Sequence, residues 1–133
     1  MIIGGLGLRS PLMAASTVLV VDDDPVIVKL LQVNFEMEGY QVLTAGDGEE
    51  GLARARTEHP DIVLLDVMMP KMDGLQVASA LRDDPTTRAI PILLLSAKAQ
   101  ATDVQAGKDV ADDYITKPFD PLELLDRVSR LLG

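Results

Sequence analysis

The sequence predicts an α/β protein: a doubly wound, five-stranded parallel sheet in the order 2-1-3-4-5. Three observations predict it. Five short apolar or β-branched runs alternate with five helix-like stretches, the pattern of a parallel sheet with helices on both faces. The first, third and fourth runs are the most continuously apolar, as strands buried on both faces are. The second and fifth are shorter and more polar, as edge strands are.

The first strand is Thr17 to Val21, TVLVV, a β-branched run. It passes into Asp22-Asp23-Asp24-Pro25. Asp24 suits a helix N-cap and Pro25 the first helical position, so a helix runs from there to about Glu38 and stops at Gly39. Gln41 to Thr44 alternates as a short second strand. Asp47 caps a second helix ending near Glu58. Asp61 to Asp66 is the third strand. Gly74 to about Arg82 is helical, with Val77, Ala78 and Leu81 on one face, and Asp83-Asp84-Pro85 breaks it. Pro91 to Ser96 is the fourth strand, Ala99 to about Gly107 a short, weakly marked fourth helix, and Asp113 to Thr116 the fifth strand. After a turn at Lys117-Pro118, Asp120 caps a fifth helix in which Leu124, Leu125, Val128, Leu131 and Leu132 recur at helical spacing.

The 133 residues suit one domain. Residues 1–16 read as a flexible N-terminal extension and residues 17–133 as the domain. The extension lacks the basic start of a secretory signal, and Arg9 interrupts its apolar stretch. Its Gly5-Leu6-Gly7 follows no strand and lacks the third glycine of a dinucleotide fingerprint. Aromatic residues make up 3% and Trp is absent, so the core is aliphatic. Cysteine is absent too, which excludes disulfides, thiol catalysis and cysteine zinc sites and fits a reducing cytoplasm. The net charge is −9 and the 12 basic residues are scattered, against a nucleic-acid surface. No run nears the roughly 18 apolar residues of a membrane span.

The chemistry gathers at one sheet edge. The first, third and fourth strands each end there in polar residues: Asp22 and Asp23, Asp66, and Ser96. Lys117 follows the fifth. In open α/β sheets that carboxyl edge is where ligands bind. Three carboxylates on neighbouring strands disfavour each other's ionisation. A hard divalent cation with oxygen ligands relieves this, and Mg²⁺ held by one or two carboxylates fits best. Acids, metal, hydroxyl and amine together are what phosphoryl transfer needs, with a carboxylate as acceptor nucleophile.

The segments VLVVDDDP, VLLDVMMPKMDG, ILLLSA and DDYITKPF, in that order, resemble a receiver domain of two-component signalling, the response-regulator family. The resemblance covers residues 17 to 133 and implies the flavodoxin-like (βα)5 fold of a single-domain, chemotaxis-type receiver. It implies that Asp66 accepts a phosphoryl group from a histidine kinase or a histidine phosphotransfer protein. Asp23 and Asp66 then ligate Mg²⁺ directly, Asp22 acts through water, and Met68 offers its backbone carbonyl. Ser96 bonds a phosphoryl oxygen and Lys117 pairs with it. Lys117-Pro118 is cis, and Tyr114 turns inward when Ser96 moves. The output is a protein target on the fourth helix, fifth strand and fifth helix. Such a receiver stands alone in the cytoplasm and assists its own phosphorylation and dephosphorylation, without turning over an external metabolite; it is not an enzyme in that sense. Met68 and Lys98 flank the path of the attacking water, and Val110 stands where many relatives have Gly.

Each residue also has an ordinary reading. Asp22 to Asp24 could be a solvated helix start, Ser96 a cap, Lys117 a surface lysine and Tyr114 a plain strand residue. His59 reads as solvated, Met68, Met69 and Met72 as packing residues, and Asp112-Asp113 as a solvated turn. Two other functions compete. An aspartate-nucleophile phosphatase of the haloacid dehalogenase type would use Asp22-x-Asp24, but it places its paired acids after its lysine, whereas Asp112-Asp113 precede Lys117. A never-phosphorylated interaction module would not need the complete acid, hydroxyl and amine set.

Overall fold

The computed structural model describes residues 15–97 and 110–133. Within them, β1 (Thr17–Val21), β2 (Gln41–Ala45), β3 (Ile62–Asp66), β4 (Ile92–Ser96) and β5 (Asp113–Thr116) form one parallel sheet. Its order is β2-β1-β3-β4-β5, as the sequence predicts. Helices α1 (Pro25–Met37), α2 (Gly48–Glu58), α3 (Gly74–Asp83) and a C-terminal helix (Pro121–Leu132) cover it.

The alternation of side chains along each strand sorts the core into two clusters, one per face. Leu19, Val21, Val63, Leu65, Ile92 and Leu94 pack with Ala55 of α2 and with Val77, Ala78 and Leu81 of α3. Their neighbours Val18, Val20, Ile62, Leu64, Leu93 and Leu95 point the other way, onto Leu31 and Phe35 of α1 and Leu124 and Val128 of the C-terminal helix. Both faces are covered, so β1, β3 and β4 have to be apolar without a break.

Local chemistry starts each helix. Asp24, Asp47, Asp73 and Asp120 accept backbone N–H bonds from Val26, Glu50, Gln76 and Leu122, and Asp73 with Gln76 forms a reciprocal capping box. Two helices approach closely through glycine. A side chain at Gly51 would meet the Val21 methyls at 2.7 Å, so α2 rests directly on β1.

The expected elements are present with small corrections. Strand β2 continues to Ala45, making it as long as the central strands. Strand β3 begins at Ile62 rather than Asp61, whose carboxylate accepts the Thr17 amide at 2.7 Å. The expected fourth helix, Ala99 to Gly107, and Lys98 lie outside the described residues. Val110 is helical, beyond the helix end expected at Gly107. His59 is exposed as expected, and it closes α2 in the left-handed region with φ of 48°.

Asp112 is exposed at a bend, as expected, but Asp112 and Asp113 do more than solvate it. Asp112 accepts from the Ile92 amide at 2.8 Å and from Arg82 at 2.6 Å. The Arg82 guanidinium also donates to the carbonyls of Val110, Arg88 and Ile90. One planar, five-donor group thus ties the end of α3 to the entries of β4 and β5. Arg82→Ala strands several carbonyls and should lower stability by about 2 kcal/mol in urea denaturation. Arg82→Lys should restore little of it, since an ammonium cannot span the same acceptors.

Candidate functional site

The ladders carry four side chains to one edge. The Asp22 amide donates to Ala45 O, Val67 to Leu95 O and Lys117 to Ser96 O, at 3.1, 2.9 and 2.7 Å. Pairing thus continues one residue past each strand. Asp22, Asp66 and Ser96 are buried, at 1%, 3% and 0% exposure, while Asp23 is exposed. Carboxylate oxygens of Asp22, Asp23 and Asp66 lie within 4.8 Å of one another. The sequence reading of three converging acids is therefore what the fold delivers.

Lys117 closes the group. Its Nζ donates to Asp22 Oδ2 at 2.8 Å and lies 3.3 Å from Asp66 Oδ1. The other Asp22 oxygen, Oδ1, accepts from the Asp24 amide at 2.9 Å. Asp22 is thereby fixed at both oxygens and acts as a bracket for the lysine. Asp66 Oδ1 also takes the Met68 amide at 3.3 Å. The Lys117–Pro118 bond is cis, as expected.

Electrostatics show the crowding. Burial pushes the Asp66 carboxyl up from 3.8 to about 6; the charge of Asp22 adds to the rise, and Lys117 and the Met68 amide offset only part of it. For Lys117, burial favours the neutral amine, but the hydrogen bond and charge of Asp22, then Asp66, outweigh it and raise its pKa. Three carboxylates against one ammonium leave two negative charges at the site. The donor set is all oxygen, compact and open to solvent through Asp23. A divalent hard cation fits this charge and chemistry.

Other expected residues are placed as follows. Met68 is half exposed on the loop after β3, whereas Met69 is buried in the core and Met72 packs against it. Tyr114 is partly buried on the same sheet face as α2 and α3. Its carbonyl and Asp113 Oδ1 accept from Arg127 of the C-terminal helix, at 2.9 and 3.0 Å. Asp24 caps α1, which separates it from the role a phosphatase pair Asp22-x-Asp24 would give it.

One residue of the site was legible only as a turn. A side chain at Gly74 would lie 2.8 Å from the Asp66 carbonyl carbon and 2.9 Å from Val67 Cα, with the Asp66 carbonyl oxygen closer still. The Gly74 amide donates to Val67 O at 3.0 Å. The start of α3 thus rests on the backbone of the acid itself. The Asp73-Gly74 pair signalled this turn, but no sequence pattern announces a backbone contact.

Comparison with known proteins agrees with this geometry. The family described as the response regulator receiver domain matches residues 18–129. The chain is 51% identical over 116 residues to the alkaline phosphatase synthesis transcriptional regulatory protein PhoP of Bacillus subtilis, covering 86% of this chain and 48% of that protein. It is 47% identical over 118 residues to the response regulator PleD of Caulobacter vibrioides, covering 88% of this chain and 26% of PleD. The chain thus spans at most about half the length of these two relatives. Among solved structures, the chemotaxis protein CheY4 of Vibrio cholerae superposes with a TM-score of 0.84 at 36% identity, covering 89% of this chain and 99% of that one. The receiver domain of the sensor histidine kinase PA1611 of Pseudomonas aeruginosa, solved with a magnesium ion in its active site cleft, gives 0.83 at 29% identity, covering 90% and 99%.

The raised Asp66 pKa has a consequence for stability. Between about 4 and 6 the folded chain holds a proton that the unfolded chain has released, so stability falls as pH climbs through that window in chelator. Above it the penalty is complete, about 3 kcal/mol. Asp66→Asn should remove this slope and raise the denaturation midpoint at pH 8, while changing it little at pH 4. Urea melts of both proteins in EDTA at the two pH values measure it.

Proposed function

This chain belongs to the response regulator receiver domain family, and from that membership we propose that Asp66 is its phosphoacceptor. Phosphorylation-dependent signalling is general to the family, whose members take phosphoryl groups from histidine kinases. The observation that carries the proposal is the meeting of Asp22, Asp23 and Asp66 with the single ammonium of Lys117.

In the proposed reaction an Asp66 carboxylate oxygen bonds to phosphorus as the P–N bond of a donor phosphohistidine breaks and the imidazole keeps the electron pair. The donor is a histidine kinase or a histidine phosphotransfer protein. Asp23 and Asp66 would hold Mg²⁺ directly and Asp22 through water, with the Met68 carbonyl as a further protein ligand. When bound, that ion neutralises negative charge on the transferring oxygens. Lys117, held by Asp22 beside Asp66, pairs with the phosphoryl group, and the Ser96 hydroxyl donates to it. Burial of Asp66 and Ser96 favours such contacts by lowering the local dielectric around them.

The new group adds about −1.5 to −2 charges. Ser96 and Lys117 are drawn toward it, and Tyr114 follows. The face that the sequence assigns to the fourth helix, β5 and the C-terminal helix then changes its affinity for a protein target. Arg127 supports this route, because it joins the C-terminal helix to Asp113 and to the Tyr114 backbone. The module turns over no external metabolite, works in the cytoplasm and leaves DNA uncontacted, consistent with its scattered basic residues. Residues 17–133 are the receiver, and residues 1–16 an extension to it.

Acetyl phosphate with Mg²⁺ should add the mass of one phosphoryl group, read by intact mass spectrometry. Asp66→Ala should abolish the gain; loss only with Asp22→Ala would favour the phosphatase reading, and no gain in the wild type would favour the interaction module. Millimolar Mg²⁺ should raise the wild-type melting midpoint and leave that of Asp66→Asn nearly unchanged; equal shifts would place the ion elsewhere. Met68 lies beside the acceptor, so Met68→Asn should change the aspartyl-phosphate half-life, and an unaltered half-life would remove Met68 as a shield.

A further inference from the structure

The loop between β3 and α3, residues 67–73, is tied at its start to the acid it follows. The Met68 amide bonds Asp66 Oδ1 at 3.3 Å, and the Gly74 amide bonds Val67 O at 3.0 Å. Within the loop the Met72 amide donates to Pro70 O at 2.7 Å, across Lys71 in the left-handed region with φ of 68°. Met69 is buried in the core and Met72 packs against it. The loop therefore cannot slide without unpacking both methionines.

The first turn of α2 backs the loop from the other side. A side chain at Gly48 would lie 2.6 Å from the Met72 carbonyl oxygen, 3.1 Å from Met72 Cβ and 2.9 Å from Val77 Cγ2 of α3. The nearest of these is backbone, which cannot rotate aside as a side chain can. That turn is itself fixed in both directions. Asp47 Oδ1 accepts the Glu50 amide at 2.8 Å, and Glu50 Oε1 accepts the Gly46 amide at 2.9 Å. Gly46 and Glu50 also line the cleft beside Asp22 and Asp23, so one short stretch of chain borders the acids and supports the loop.

We propose that Gly48 is a positioning residue for the acidic site. By presenting only hydrogen to the Met72 carbonyl, it lets the loop lie where the Met68 backbone meets Asp66. A methyl there would force that carbonyl back from 2.6 Å to at least 3.0 Å, the closest approach that Cβ atoms make in proteins. That shift of about 0.4 Å approaches the roughly 0.5 Å within which working constellations must be held. The loop is packed along its length, so part of the shift reaches the Met68 amide and carbonyl. This role rests on the reading of Asp66 as phosphoacceptor and of the Met68 carbonyl as a ligand for Mg²⁺. It adds a residue that touches neither group yet sets the geometry of both.

Gly48→Ala tests it, with Ala55→Gly as the control for general loosening. Ala55 is buried about two turns further along α2, and glycine there weakens the helix while leaving the contact at Met72 intact. Gly48→Ala should weaken Mg²⁺ binding about fivefold in an NMR titration of the backbone amides, and slow phosphorylation by acetyl phosphate by a similar factor. Ala55→Gly should stay near wild type in both. In EDTA the wild-type amides across residues 67–73 should have order parameters of about 0.85, those of a rigid backbone, and Gly48→Ala should lower them. Unchanged Mg²⁺ affinity in Gly48→Ala overturns the proposal, as do equal losses in the two variants. Wild-type loop values below about 0.6 in EDTA overturn it too, and that result needs no variant to fold. A wild type that binds Mg²⁺ but takes no phosphoryl group would instead count against Asp66 as acceptor, and the Mg²⁺ affinities and loop order would still decide the role of Gly48.

Discussion

One lysine holds together a group of acids that would otherwise repel one another. Lys117 stands 95 residues from Asp22 in sequence and bonds its carboxylate at 2.8 Å, while reaching Asp66 at 3.3 Å. It spans the carboxyl ends of β5, β3 and β1, so strand order, register and the turn at Pro118 must all be right for it to form. Yet one ammonium against three carboxylates leaves the site under-neutralised, and the Asp66 carboxyl responds by holding its proton up to about 6. The fold places these groups where their charges are least comfortable. That imbalance suits the site to a divalent cation.

The rest of the molecule keeps this arrangement in place from a distance. Both faces of the sheet are sealed by aliphatic clusters, so the strand ends cannot shift independently. Gly74 lets α3 begin against the backbone of Asp66. The Arg82 guanidinium joins the end of α3 to the entries of β4 and β5, and Arg127 joins the last helix to β5. The carboxyl edge of the sheet is thus linked through packed elements to β5 and the C-terminal helix, which is the physical requirement for a local charge change to be felt elsewhere.

Much of this was legible in the sequence because its causes are local or periodic. Strand continuity in β1, β3 and β4 follows from burial on both faces, and each named cap, Asp24, Asp47 and Asp120, sits where its side chain reaches its own backbone. The acids were legible because each ends an apolar strand. Less legible were residues whose partners lie far along the chain. Asp112 looked like a solvated turn because nothing nearby announces Arg82, 30 residues away. Asp61 looked like a strand residue because its partner is the Thr17 amide.

The account rests on Asp66 being an acid displaced from its ordinary titration by its neighbours. Carbon-13 NMR of the side-chain carboxyls, titrated in EDTA and again in Mg²⁺, measures that directly. The Asp66 resonance should titrate near 6 without the ion and move to a distinctly lower pH with it. A midpoint near 3.8, the same with and without Mg²⁺, would contradict the account.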